Sequence, residues 1–346
     1  MSEIKRRLML WASGVERLAP EHKLRSAAEV VMLEDATHLE ALVGTGTVKS
    51  ESIVFVPEGT NVPTIDATVV PYTGDAWGGT NEFGLGDSFI MQSLPYGTMR
   101  FVPAFGPTVV RIATNEDFEA FITDADLARS EGRFPAFLKH PMNRLAEQSS
   151  LGSAVQGAGP SSRLHVEADG HCSTAPGGAH LGNVNSSLVQ LRAEWLEINQ
   201  RSAAPCAVGL ARLVDEELRS AALVDRPWLG DYLDVIEVLQ HGEARGIPGL
   251  QVSGYGGRLS PVIDEDVNDL QRHGPIVAWN DETCFVHDVG SSRSMLMSHA
   301  AGRVVDLLAW SPSLEHAGEY ESATTLETVQ AQLAQHGLTV DFAGQA

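Results

Sequence analysis

Residues 293–310, RSMLMSHAAGRVVDLLAW, change period without a break. A short apolar run, Met295-Leu296-Met297, leads straight into Ala301, Val304, Val305 and Leu308 at the i, i+3, i+4, i+7 spacing of an amphipathic helix. Ser298 stands at the join, where its hydroxyl can accept an otherwise unpaired amide hydrogen of the first helical turn. A strand delivered directly into a helix needs neighbours that cover both, and the flanking sequence supplies them. Upstream, IVAWN (276–280) and TCFVHDV (283–289) read as two strands with a turn at Asp281-Glu282, and Gly290-Ser291-Ser292 turns into the third. Downstream, SPSLEHAGEY allows a short helix near Pro312. Thr324 and Glu327 then form a T-x-x-E capping box for a last helix that buries Leu326, Val329 and Leu333 and ends at His336-Gly337. Residues 271–346 are therefore expected to run β-β-β-α-α-α, the order of a winged helix-turn-helix.

DNA binding is the usual role of that fold, and charge opposes it here. Residues 274–346 hold Arg293 and Arg303 against nine acidic residues (Asp281, Glu282, Asp288, Asp306, Glu315, Glu319, Glu321, Glu327 and Asp341), a local charge of −7. The whole chain carries −21, and its densest basic run is only Lys5-Arg6-Arg7. Phosphate contacts require cations, so nucleic acid and anionic membrane surfaces are both disfavoured. No stretch approaches the roughly 20 apolar residues that span a bilayer. Cys172, Cys206 and Cys284 are too few and too scattered for a disulfide framework, which fits a reducing cytoplasm.

The remaining sequence reads as an α+β chain in three parts. Residues 1–145 form a mixed α/β region with short strand signals at LMLWA (8–12), AEVVML, SIVFVP, ATVVPY, SFIMQS, MRFVPAF (99–105) and TVVRIA, and helices at ATHLEALV and NEDFEAFITDADLARSEG. The apolar start ends at Glu16, so it reads as a first strand and not as an export signal. Residues 146–270, either separate or part of the first domain, begin as loops. QSSLGSAVQGAGPSSR is a linker or mobile loop, LHVEAD a strand, and GHCSTAPGGAHLGN a polar loop. Three helical patterns follow: Leu188, Leu191, Trp195 and Ile198; then Ala207, Leu210, Ala211, Val214, Leu218 and Ala221; then Leu229, Tyr232, Leu233, Ile236 and Leu239, with Gly242 as a stop. GLQVSGYGGRLSPVID reads as a strand interrupted by glycines, and GYGGR (254–258) as a bend in preference to an anion nest with Arg258.

No catalytic, cofactor or metal site is expected. His165, His171, Cys172 and His180 lack a C-x-x-C or H-E-x-x-H partner. Gly44-Thr45-Gly46 lacks the third glycine of a dinucleotide fingerprint, and neither a P-loop lysine nor G-x-S-x-G occurs. Asp124, Asp126 and Asp264-Glu265-Asp266 read as solvated turns, His287 and His299 as surface histidines. The competing enzyme reading places a site between the N-terminal and helical regions, built from His165, His171, His180 and the loop GDAWGGTNEFGLGD (74–87).

The segments MLMSHAAGRVVDLL and TLETVQAQLAQHGL resemble the third strand, first helix and last helix of the RiPP recognition elements, the small PqqD-like domains that bind precursors of ribosomally made, post-translationally modified peptides. PCAVGLARLVDEELRSAALVDRPWL and IPGLQVSGYGGRLSP extend the resemblance over the whole chain to the recognition proteins of daptide biosynthesis. This resemblance implies a non-catalytic adaptor. Its partners would be a precursor leader peptide and a modifying enzyme, a dehydrogenase or oxidative decarboxylase acting on the precursor's C-terminal threonine. The leader would add itself as a strand beside 293–297. Met295 and Met297 share one face of that strand and Leu296 takes the other. Val329, Gln330 and Leu333 of the last helix would wall the groove, and Arg293 would meet an acid on the leader.

Overall fold

The computed structural model describes residues 3–14, 26–75, 77, 81–153, 159–260, 272 and 274–340. Residues 264–266 and the middle of the 148–163 loop lie outside them. The protein is α+β and divides into two compact units: residues 1–122 with 142–230, and residues 123–141 with 231–346.

The first unit contains α1 (Glu3–Ser13), β1 (Val30–Leu33), α2 (Leu39–Gly44), β2 (Ile53–Pro57), β3 (Thr68–Asp75), β4 (Glu82–Gly84), β5 (Ile90–Pro95), β6 (Thr108–Arg111) and the start of α3 (Asn115–Glu131). After α4 (Ala136–Lys139), which belongs to the second unit, it resumes with β7 (Asn143–Leu145), β8 (Arg163–Val166), β9 (His171–Ser173), β10 (Gly182–Asn183), α5 (Leu188–Arg201) and α6 (Glu216–Asp225). Its strands join one ten-stranded mixed sheet in the order β10-β9-β8-β1-β2-β3-β4-β5-β6-β7. Strand β1 lies parallel to both β2 and β8, and β2 parallel to β3. A boundary after residue 145 would pass between β7 and β8 of this single sheet, so residues 146–230 go with the first unit, one of the two arrangements left open above, while 123–141 and 231–270 fall in the second.

Several local expectations change. LMLWA is helical, not a strand. Leu8, Trp11 and Ala12 recur at helical spacing and are buried, while Glu3 bonds both Arg6 and Arg7 one turn on. MRFVPAF is no strand: a single 3₁₀ turn at Thr98–Arg100 is followed by irregular chain with Phe101 and Phe105 exposed. Pro103 and Pro107 bring no amide hydrogens to a ladder there. The second helical pattern survives only as α6. Residues 207–214 form turns, entered through Cys206 at φ 57°. Their apolar side chains Ala207, Leu210 and Val214 are nonetheless buried, so periodicity recorded burial and not helix. Arg219 holds this segment from within, donating to the carbonyls of Ser150 (3.0 Å), Ala204 (3.2 Å) and Pro205 (3.0 Å).

The second unit takes α7 (Leu229–Ala244) from Asp231 onward, then β11 (Gln251–Val252), β12 (Ile276–Trp279), β13 (Cys284–Asp288), β14 (Arg293–Met297), α8 (His299–Trp310), α9 (Leu314–Ala317) and α10 (Ala323–Gln335). The order β-β-β-α-α-α therefore stands in residues 276–335, preceded by one short extra strand. The four strands form an antiparallel sheet in the order β11-β12-β13-β14. Val277, Cys284 and Val286 pack with Val305, Leu308 and Trp310 of α8 and with Leu326, Val329 and Leu333 of α10.

Ser298 caps α8 as expected, accepting from the Ala301 amide at 3.2 Å. The last helix begins earlier than its T-x-x-E signal. Ser322 is the cap, 3.2 Å from the Thr325 amide, and Leu326 then bonds back to the Ser322 carbonyl at 3.0 Å. An earlier cap gains backbone bonds, and Ala323 offers no resistance to them. Helix α7 runs through Gly242 to Ala244, and Gly246 at φ 70° terminates it. Gly242 instead lies against Leu250, whose Cδ1 would have to move to admit a Cβ there. Arg258 stacks over Trp310 at 5.0 Å, consistent with a bend at GYGGR. Asp306 is buried beneath it, accepting from the Ser253 hydroxyl and, at 2.7 Å, from the Ser260 amide. Burial pushes this carboxyl above its ordinary range.

Candidate functional site

The antiparallel ladder sets the register of β14. Cys284, Phe285, Val286, His287 and Asp288 stand opposite Met297, Leu296, Met295, Ser294 and Arg293 respectively. Among the described residues nothing pairs with the other flank of β14, which ends the sheet. Alternate residues of such a strand turn their N–H and C=O groups outward, a template for a further strand.

The two faces of β14 differ. Met295 and Met297 are half-buried against the core formed by α8 and α10. Leu296, on the opposite face, is 66% exposed. Val329 and Leu333 are buried members of that core, which leaves Gln330, half-buried on α10, as the one of the three expected wall residues with solvent access. The thioether side chains are thus the adaptable margin of a core in which Val329 and Leu333 are fixed.

Arg293 is engaged within the fold. Its guanidinium donates to the carbonyls of His336 (3.3 Å) and Gly337 (3.5 Å), the unsatisfied end of α10. A cation is favourable there because the helix C-terminus carries partial negative charge. Arg293 thereby ties the start of the edge strand to the end of the last helix.

Behind the edge lies a hydrogen-bonded group that sequence reasoning missed. Ser294 Oγ is 2.7 Å from His287 Nδ1 and 3.0 Å from His241 Nε2, and the two imidazoles are 4.9 Å apart. His287 is buried, not a surface histidine. Burial, then the Arg245 charge, holds His241 below its usual pKa. The facing of Ser294 and His287 follows from hairpin register and was accessible in principle, whereas the arrival of His241 from α7 was not. His299 sits at the first turn of α8, its Nε2 2.7 Å from the Asn280 carbonyl.

Of the residues in the competing enzyme reading, the structure brings His165 to within 6.4 Å, ring to ring, of Trp77 in the 74–87 loop. His171 and His180 stack on each other at 4.3 Å in exposed positions, paired with Asp169 (2.9 Å) and Glu167 (3.1 Å). His165 is instead buried, 3.2 Å from Glu34. Among the described residues no group of three or more His, Cys, Asp or Glu is placed to hold a metal ion. None of their helices is long and apolar enough to cross a membrane. Comparisons with protein-family profiles, curated proteins and solved structures return no match for the chain.

Proposed function

We propose that this protein is a non-catalytic recognition and adaptor protein. It binds the leader of a ribosomally synthesised precursor peptide by strand addition at β14 and presents it to a modifying enzyme, as a RiPP recognition element built on a winged helix would. The daptide pathway, with its oxidative decarboxylase, is the setting that the sequence resemblance favours, and a cytoplasmic location accords with three free cysteines. The observation that carries the reading is the vacant flank of β14 beside half-buried methionines.

The energetics define what the leader must offer. About five new backbone hydrogen bonds at ~1 kcal/mol each give some 5 kcal/mol, and ordering a disordered segment costs about 2–5 kcal/mol. Micromolar affinity, roughly −8 kcal/mol, therefore needs apolar leader side chains set against Met295, Met297 and Leu296 at about 1.5–3 kcal/mol apiece. The acidic surface works against the alternative, a winged-helix transcription regulator, because no cation of α10 is available for phosphate.

Fluorescence polarisation with a labelled precursor leader tests the proposal. Saturable binding to the full chain, weakened by Met295→Asp, is the expected result. No saturable binding at micromolar protein defeats it.

A further inference from the structure

In the ten-stranded sheet β1 is a topological switch point. The chain proceeds from β1 to β2 and β3 on one side and later returns to place β8 on the other, with all four strands parallel. Crossovers leave such a point in opposite directions, and ligands of open sheets collect there at the carboxyl ends of the strands.

Glu34 follows β1 directly, and His165 lies beside Met32 in β8. His165 Nε2 is 3.2 Å from Glu34 Oε1, and Glu34 Oε2 accepts the Ala168 amide at 3.0 Å. The His165 contact holds the Glu34 carboxyl below its usual range, so it is ionised near neutrality and accepts. Nε2 then carries the hydrogen directed at Glu34, the tautomer in which Nδ1 is an acceptor. His165 Nδ1 is buried and has no partner among the described residues, and the same holds for Trp11 Nε1, which can only donate. The Trp11 and His165 rings are 6.2 Å apart, and Trp77 lies 5.1 Å from the first and 6.4 Å from the second. Phe83 and Tyr72, stacked at 4.7 Å, extend this aromatic cluster of the core, with Phe83 6.2 Å from Trp77. The Tyr72 hydroxyl donates to the Leu33 carbonyl at 2.9 Å and is pushed up to about 12 by burial, then by Glu34. Trp11 is itself held, its carbonyl accepting from Arg163 at 2.8 Å while Arg163 pairs with Glu147.

One orphaned donor and one orphaned acceptor, set among flat apolar rings, define a chemistry. We propose that the carboxyl ends of β1 and β8 form a second binding site, for a small neutral ligand with a flat apolar body and a hydroxyl group. The hydroxyl oxygen accepts from Trp11 Nε1, and its hydrogen is donated to His165 Nδ1. The ionised Glu34 behind His165 disfavours a carboxylate or phosphate in that position. This site is independent of leader binding at β14.

The test uses the full chain labelled with ¹⁵N at tryptophan and histidine, titrated with phenol and, in parallel, with toluene. The indole N–H of Trp11 is assigned by its loss in Trp11→Phe. Phenol is expected to shift the Trp11 indole and His165 Nδ1 signals saturably and to bind about tenfold more tightly than toluene, which leaves two buried polar atoms unpaired. His165→Phe abolishes that preference. Phenol and toluene acting alike, or no saturable shift with phenol, overturns the proposal. The comparison on the unsubstituted protein stands even if His165→Phe fails to fold.

Discussion

The two sheets treat their margins differently. The ten-stranded sheet ends in β7, of three residues, and β10, of two. The four-stranded sheet ends on one side in β11, also of two residues, and on the other in β14, of five, with Leu296 at 66% exposure. Short margins are a standard defence against unwanted strand pairing. Three of these four margins have it and β14 does not. The larger sheet instead gathers unusual chemistry at its strand ends, where parallel neighbours bring Glu34 and His165 together. In this protein the smaller sheet leaves backbone groups at its margin, and the larger sets side chains at its strand ends.

Substitutions can break or sharpen that contrast. The largest effect is expected at Arg219, fully buried in the first unit. Arg219→Ala strands several carbonyls and should cost about 3–5 kcal/mol in urea denaturation. In the second unit Leu333→Ala leaves a void in the core against which Met295 and Met297 pack, with an expected loss of about 2–5 kcal/mol and, on the proposed function, of leader binding together. Leu296→Lys separates the two properties. Stability should stay within about 0.5 kcal/mol while leader affinity falls roughly tenfold, because this side chain packs on little until the leader arrives as a fifth strand. If Leu296→Lys binds leader as well as the unsubstituted chain, β14 is an ordinary margin and the contrast fails.

The pH dependences are smaller and opposite in sign. Asp306 has its folded pKa raised by burial. Its stabilising contribution is complete below the ordinary carboxylate range and is lost as pH rises through the raised folded value. Asp306→Asn should therefore gain stability relative to the unsubstituted protein on going from acid to neutral pH, read as a widening difference in urea midpoint. Glu34 has its folded pKa lowered, first by the His165 contact. Its contribution is present above the ordinary value and is lost as pH falls through the depressed one. The side chain is 43% exposed, so solvent screening limits the effect of Glu34→Gln to under about 1 kcal/mol, visible only above the acid transition.

Signals acting within one turn or one hairpin were legible in the sequence. The three strands and the Ser298 cap of the C-terminal segment, α5, and the burial of Leu326, Val329 and Leu333 all depend on neighbours a few residues away. Three departures show where that reach ends. LMLWA is compatible by itself with a strand or a helix, and only the core it covers selects the helix. The 207–214 run has helical spacing and is buried, yet Arg219 and Asn199 hold it as turns, Asn199 Oδ1 accepting the Ala207 amide at 2.8 Å. The T-x-x-E box is sound chemistry, but Ser322 caps first.

The sequence by itself determined the acidic surface, the α+β class and the order of elements in residues 276–335, because charge, hydrophobic period and capping are local properties. Tertiary structure alone decided that β14 is a margin, that Arg293 serves α10, and that Trp11, Glu34, Trp77 and His165 converge. Those outcomes depend on which strands become neighbours, and pairings between residues far apart in the chain leave no periodic trace within it.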